Sequence, residues 1–200
     1  MSTSRGLDTT QDCTPHIPAI KAAGISFVCR YASHSAWKNM TPEEVRALSK
    51  AGIYICTVWE IGDQESYFTR AQGLMDGAGS FAFCQHLGQP FNSPIYYAVD
   101  LDINPTKVVQ YFQAVRESLQ RHGQIGKTTY EVGVYGPGAV CKFLHDAGLV
   151  SFTWIDQSPG HSGADYADWN LKQLPSATIA GMNADGDVSR GNGGGWMVKV

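Results

Sequence analysis

No apolar run in this 200-residue chain approaches the roughly 20 residues that span a bilayer, so a helical membrane protein is excluded. The opening residues Met1-Ser2-Thr3-Ser4-Arg5-Gly6 lack a basic region followed by an apolar one, and no Sec-type signal is expected. Charge of one sign is scarce too: the net charge is −3, too little for affinity to nucleic acid or an anionic membrane. The five cysteines contain no CxxC pair, and their odd number argues against a full disulfide framework. No Cys/His spacing fits zinc, the histidines form no pattern, and neither metal nor cofactor is expected. There is no linker, so the chain reads as one domain over residues 1–190. The glycine-rich run Gly191–Gly195 is not flanked by a strand and a helix, which excludes a phosphate cradle. Residues 191–200 are expected to form a flexible tail.

What is present is a repeated unit in which a helix stops at glycine and an apolar strand begins at once. Ala23-Gly24, Ala51-Gly52 and Ala147-Gly148 each precede such a strand, and glycine at the helix C′ position supplies the left-handed stop. Thr41-Pro42-Glu43-Glu44 is a capping box, and Asn104-Pro105 opens a long amphipathic segment reaching His122. Between Ser66 and Leu87, small residues suggest one or two closely packed helices. Eight strands are expected: Gly6–Asp8, Ser26–Tyr31, Tyr54–Glu60, Ile95–Asp100, Glu131–Tyr135, Phe152–Ile155, Asn170–Gln173 and one near Asp187. They are continuous apolar runs, which implies burial on both faces and a parallel sheet. The fold class expected is α/β, a single compact TIM-type (β/α)8 barrel with its late helices reduced to loops, with a doubly wound open sheet as the rival.

Acidic residues stand where these strands run out. Asp8 ends the first, Glu60 the third, and Asp100-Leu101-Asp102 the fourth. The C-terminal ends of parallel strands are where barrel and doubly wound folds bind ligands. Two positions apart on a strand, Asp100 and Asp102 would point the same way. Paired carboxyls in a cleft push their pKa values apart, the arrangement glycoside hydrolysis needs. Asp102 could instead cap the helix opened by Asn104-Pro105. Asp185-Gly186-Asp187 reads as a turn, and it lacks the distal glutamate of a calcium loop. Tyr31, Trp59, Tyr97, Tyr135 and Trp154 fall at or near strand ends, where aromatic rings suit the apolar faces of sugars.

The ordered set Gly6-Leu7-Asp8, Ile95 through Asp102 and Gly133-Val134-Tyr135-Gly136 resembles a bacterial glycoside-hydrolase-like domain family, long catalogued as domain of unknown function 1906. The resemblance runs from about Arg5 to Ser189. It implies a TIM-type barrel related to the family 25 muramidases, lysozymes that cut peptidoglycan strands. Those enzymes carry an aspartate on the first strand, Asp-x-Glu on a middle strand and an aspartate near the last. Asp8, Asp100-x-Asp102 and Asp187 fall in that order. The resemblance thus implies Asp102 as proton donor, Asp100 as the partner of the reacting N-acetyl group, and Asp8 and Asp187 as supporting carboxylates. Trp154, Gln157 and Gln173 would line the sugar groove. The chain departs from the pattern in one place: the muramidase acid is glutamate, and Asp102 is a methylene shorter.

Three expectations follow. The first is a peptidoglycan-directed, muramidase-like hydrolase with Asp102 or Glu60 as acid. Lacking a Sec signal, it would reach the cell wall by a specialised secretion route or phage-type lysis, as an antibacterial effector or endolysin-like protein. A secretion-system component or immunity protein would then be a partner. The second is a catalytically silent module that binds glycan or cell wall, which the Asp102 departure favours. The third is a metal-assisted hydrolase with Asp8, Asp100 and Asp102 around a divalent cation.

Overall fold

A computed structural model describes residues 3–123 and 128–200. Eight strands close into one barrel in chain order: β1 (Thr3–Asp8), β2 (Phe27–Ala32), β3 (Tyr54–Trp59), β4 (Pro94–Ala98), β5 (Glu131–Gly136), β6 (Phe152–Ile155), β7 (Leu171–Ile179) and β8 (Met182–Arg190). The helices are α1 (Ile17–Ala22), α2 (Pro42–Ala51), α3 (Arg70–Leu87), α4 (Val109–His122) and α5 (Gly138–Asp146). Both connections after β6 lack a helix, in keeping with the expected reduction of the late helices. The barrel is α/β, and the open-sheet alternative is ruled out by its closure.

The all-parallel expectation is corrected at the last strand. β7 and β8 are joined by the two-residue turn Ala180-Gly181, with φ of 53° and 79°, the backbone of a tight hairpin. A strand returned so directly runs back beside its predecessor. β8 therefore pairs antiparallel with both β7 and β1. Asp8 lies opposite Asp185 and Gly6 opposite Asp187, so the hairpin tip stands above the end of the barrel where Asp8 sits.

Strand alternation sorts the side chains. Phe27, Cys29, Cys56, Val58, Tyr96, Ala98, Trp154 and Leu171 fill the barrel interior as one cluster. The alternate residues face the helices, whose apolar sides complete two outer clusters. Thr41 caps α2 by accepting from the Glu44 amide at 3.2 Å, and Gly52 and Gly88 stop α2 and α3 in the left-handed conformation. The small residues of α3 serve its contact with α4. A Cβ on Gly73 would lie 2.3 Å from the Tyr111 carbonyl oxygen, so only glycine permits this approach.

Residues 191–200 do not form the loose tail expected of them. Trp196 is buried, exchanges both backbone hydrogen bonds with Ile55, and donates its indole N–H to Thr57 Oγ1 at 3.0 Å. The Gly193 carbonyl accepts from Tyr96 Oη at 2.7 Å. A buried indole and two buried hydroxyls thus tie this segment to the interior and outer faces of β3 and β4, where it closes the end opposite Asp8.

Candidate functional site

The mouth of the barrel gathers carboxyls at two depths. The deeper set is held by β1, β6, β7 and β8. Asp187 is fully inside, and Trp154 Nε1 donates to its Oδ1 at 2.9 Å. Its Oδ2 has no other partner among the described residues, and Asp8 is its neighbour. Burial first, and the charge of Asp8 next, push the Asp187 carboxyl well above the carboxylate range. Beside Asp8 and without a donor to its Oδ2 among the described residues, the Asp187 carboxyl favours its protonated form. Asp8 is itself buried, and desolvation raises it to about 7 despite the hydrogen bond it accepts from Gln173. A relay fixes this layer from above. Tyr135 Oη donates to Gln173 Oε1 at 3.0 Å, and Gln173 Nε2 donates to Asp8 Oδ2 at 3.0 Å and Asp185 Oδ2 at 3.1 Å.

The Asp8 backbone is anchored from outside the barrel. Arg30 makes a buried two-point pair with Glu44, at 2.7 and 3.0 Å, and Nη1 donates to the Thr9 carbonyl at 2.6 Å. Glu44 Oε1 also accepts from the Cys13 amide at 2.9 Å. The loop leaving Asp8 is thus bound to β2 and α2 by charge-assisted bonds.

The upper set stands at the rim. Asp100 is exposed at the rim, yet the desolvation it does undergo raises its carboxyl, with the charges of Glu60 and Asp156 adding to the effect. Asp156, directly after β6, is buried and hydrogen-bonded to His161 Nδ1. Its carboxyl is also raised, by burial, although the His161 hydrogen bond works against this. Glu60 pairs with Lys38 at 2.9 Å, and that ammonium lies 5.0 Å from the centre of the Tyr31 ring. Beside Asp100, an open groove of about 440 Å³ is lined by Tyr135, Gln157, Gln173, Leu174, Pro175 and Asp185.

The expected residues divide by position. Asp8, Glu60, Asp100, Asp187, Tyr31, Tyr135, Gln157 and Gln173 converge on the mouth or the layer beneath it. Asp102 does not. β4 ends at Ala98, so Asp100 and Asp102 share no strand face. Asp102 is exposed and accepts from the Ser162 amide at 3.1 Å and the Ser162 hydroxyl at 2.6 Å, bonds that hold its carboxyl below the usual range. A carboxyl held as an anion is poorly suited to donate a proton. Trp59 and Tyr97 are also corrected. They occupy alternate positions that face the helices, where Trp59 packs beside Gly79 and Tyr97 is hydrogen-bonded to Ser80 at 2.7 Å. Trp154 is buried beneath the groove and orients Asp187 from there. With Asp102 turned to Ser162, the cation set Asp8–Asp100–Asp102 is not assembled. No group of three His, Cys, Asp or Glu among the described residues could hold a metal.

Two residues of this mouth escape a reading of the sequence. Asp156 follows β6 as directly as Glu60 follows β3, so the strand-end rule applied at Ile155 points to it. Asp185 reads as a turn until β8 is known to start above the mouth and run downward.

The sequence model of the Rv2525c-like, glycoside hydrolase-like domain matches residues 18–192. The chain belongs to this family. The match begins after β1, so Asp8 lies outside it. FadG, an uncharacterized protein of Bacillus subtilis (strain 168), is 26% identical over 200 residues, which cover 91% of this chain and 34% of FadG. The chain thus spans about a third of that relative. Among solved structures, the Tat-secreted protein Rv2525c of Mycobacterium tuberculosis, in complex with L-tartrate, superposes with a TM-score of 0.79 at 20% identity, over 97% of this chain and 98% of that one. A family 25 glycosyl hydrolase from Bacillus anthracis superposes with a TM-score of 0.59 at 15% identity, over 94% and 89%. At such identities these likenesses speak for a shared barrel fold. No helix among the described residues is long and apolar enough to cross a membrane.

Proposed function

We propose that this Rv2525c-like domain is a peptidoglycan-directed glycoside hydrolase of muramidase type, with Asp100 as proton donor. The observation that carries the proposal is the convergence of carboxyls from the ends of β1, β3, β4, β6 and β8 on one open mouth, with Asp8, Asp100 and Asp156 all raised. A raised carboxyl facing a groove keeps its proton to higher pH and can deliver it to the glycosidic oxygen. Below it, Asp187 favours its protonated form, and Asp8 presents a negative charge as pH rises through about 7. In the Tyr135–Gln173 relay, that charge is fixed where it can stabilise the cationic ring or the N-acetyl group as the bond breaks. Gln157, Tyr31 and Tyr135 supply polar and aromatic edges for the sugar.

A polysaccharide substrate of this kind implies work outside the cytoplasm. The Tat-secreted Rv2525c offers one precedent for such export on the same fold. An effector or endolysin-like role, with a secretion-system component or immunity protein as partner, belongs to the same reading.

The deciding experiment follows turbidity and new reducing ends on purified peptidoglycan with wild type, Asp100→Asn and Asp102→Asn. Cleavage is expected from wild type and from Asp102→Asn, and a loss of at least a hundredfold from Asp100→Asn. One observation favours a second reading: Asp102, at the position of the muramidase glutamate, is committed to Ser162. Sedimentation of the protein with sacculi, with no reducing ends formed, would establish a silent glycan-binding module instead.

A further inference from the structure

Two clefts adjoin across the mouth. One is the groove beside Asp100, and the other is lined by Asp8, Thr9, Tyr31 and Asn183. They share Ser176 and Asp185, so together they make a single trough from Gln157 at the β6 end to Tyr31 at the β2 end. Beyond Tyr31, the loop between β2 and α2 raises a single helical turn, Ala36–Lys38, and at its centre Trp37 is 76% exposed. No other aromatic side chain among the described residues is as open to solvent.

This exposure does not come from a frayed loop. Asn39 Oδ1 accepts from the Ser33 amide at 2.8 Å while its Nδ2 donates to the Ser33 carbonyl at 2.8 Å. The Met40 amide donates to the Tyr31 carbonyl at 3.0 Å, and Arg30 Nη1 reaches the Lys38 carbonyl at 3.3 Å. Lys38 is tied to Glu60 at the rim. The loop is thus pinned on both sides of the indole, and the ring is held out in water. Of its exposed chain neighbours His34, Ser35 and Ala36, only the small Ala36 is apolar, which is far less than the broad apolar patch a protein partner would cover. A lone aromatic plane on a pinned loop, beyond the Tyr31 end of a polar trough, suits a ligand with one apolar face and a polar perimeter, which is the surface of a pyranose ring.

We infer that Trp37 is a distal glycan subsite, stacking on the face of an N-acetylated sugar several positions from the carboxyls, so that the domain grips an extended strand rather than a disaccharide. The inference rests on the glycan-directed reading and adds to it a chain-length preference and the residue responsible. Lys38 couples the subsite to the centre, because the residue after Trp37 holds Glu60, whose charge acts on both Asp8 and Asp100.

The test measures binding by calorimetry of a peptidoglycan hexasaccharide and the corresponding disaccharide. It is made in the Asp100→Asn background so that cleavage does not intervene. Trp37→Ala is expected to weaken the hexasaccharide about tenfold, with the disaccharide unchanged and Trp37→Phe keeping most of the affinity. Thermal unfolding should be the same for all three proteins, since the indole is exposed. Equal hexasaccharide affinity with and without Trp37, or an equal loss on both ligands, overturns the subsite. If neither sugar binds even with Trp37 intact, the glycan-directed reading itself falls, and the subsite with it.

Discussion

The two layers of carboxyls at the mouth are both raised by loss of water, but the neighbours that adjust them differ. Asp8 and Asp187 lie inside the barrel, where loss of water dominates and fixed donors, Trp154 and Gln173, hold the geometry. Asp100 and Asp156 stand at the rim, where loss of water again leads, the charges of Glu60 and Asp156 add to the rise of Asp100, and His161 opposes the rise of both. The inner layer is set by packing, so its protonation is tied to the stability of the fold. The outer layer is adjusted by charges on loops, so its protonation can be tuned by substitution without disturbing the core. One region supplies a fixed field and the other the exchangeable proton.

The largest effect that would separate the layers is expected at Asp8. Its carboxyl titrates near 3.8 when unfolded and about 7 when folded, so the native state binds the extra proton between those values. Stability therefore falls as pH rises from about 4 to about 7 and stays lower above that, by on the order of 4 kcal/mol if the whole shift is expressed. Asp8→Asn removes this titration while keeping an oxygen for Gln173. Calorimetric unfolding should show a higher Tm than wild type at pH 8 and a flatter profile from pH 4 to 7, alongside a loss of glycan cleavage of about a hundredfold or more. An unchanged pH profile of stability would remove the inner layer as a store of charge. Asp100→Asn should leave that profile almost as it was.

The same contrast explains what could be read in the letters. Phe152–Ile155 and Tyr54–Trp59 announce themselves because all but their first residues are buried on both faces and each follows a helix-stopping glycine within a few positions. β7 shows only its first residues, since Leu174–Ile179 climb into solvent beside the hairpin tip and lose the apolar pattern. With that end hidden, the reversal at Ala180-Gly181 and the downward course of β8 are hidden as well. Asp8 and Glu60 are legible because each directly follows apolar strand residues. Trp59 and Tyr97 mislead because sitting near a strand end does not fix which face a residue takes, and a step of one position sends the side chain to the helices. Asp102 misleads because strand alternation holds only as far as Ala98, where β4 stops. The tail misleads because its glycines conceal Trp196, whose burial depends on the distant Thr57 and Ile55.

A smaller effect tests the outer layer. Glu60 is the largest charge raising Asp100, so Glu60→Gln should lower the Asp100 carboxyl. A general acid works only while protonated, and activity is lost as pH rises through its pKa. The alkaline limb of the pH–rate profile should therefore move to lower pH, and the pH dependence of stability should change little. A limb that stays in place would mean that Asp100 is not the proton donor. Asp156→Asn should move the limb in the same direction, because the Asp156 charge acts on Asp100 with the same sign.

The smallest effect is expected where the resemblance to muramidases would put the largest. Asp102 is exposed, and its bonds to Ser162 hold it as an anion, so it neither stores a proton nor faces the groove. Ser162 follows His161 in the chain, and its carbonyl accepts from the Ala139 amide at 3.0 Å. Asp102 thus fastens the loop that carries the partner of Asp156. Asp102→Asn keeps an oxygen for the Ser162 donors and should reduce cleavage by no more than a few-fold, with no movement of either pH limb. Asp102→Ala frees the loop, so it should cost more than Asp102→Asn and act through His161. Combining Asp102→Ala with His161→Ala should then cost less than the sum of the two free-energy losses, as expected for residues in one network. A loss from Asp102→Asn as deep as that from Asp100→Asn would instead return the proton to Asp102 and require the Ser162 bonds to open when glycan binds.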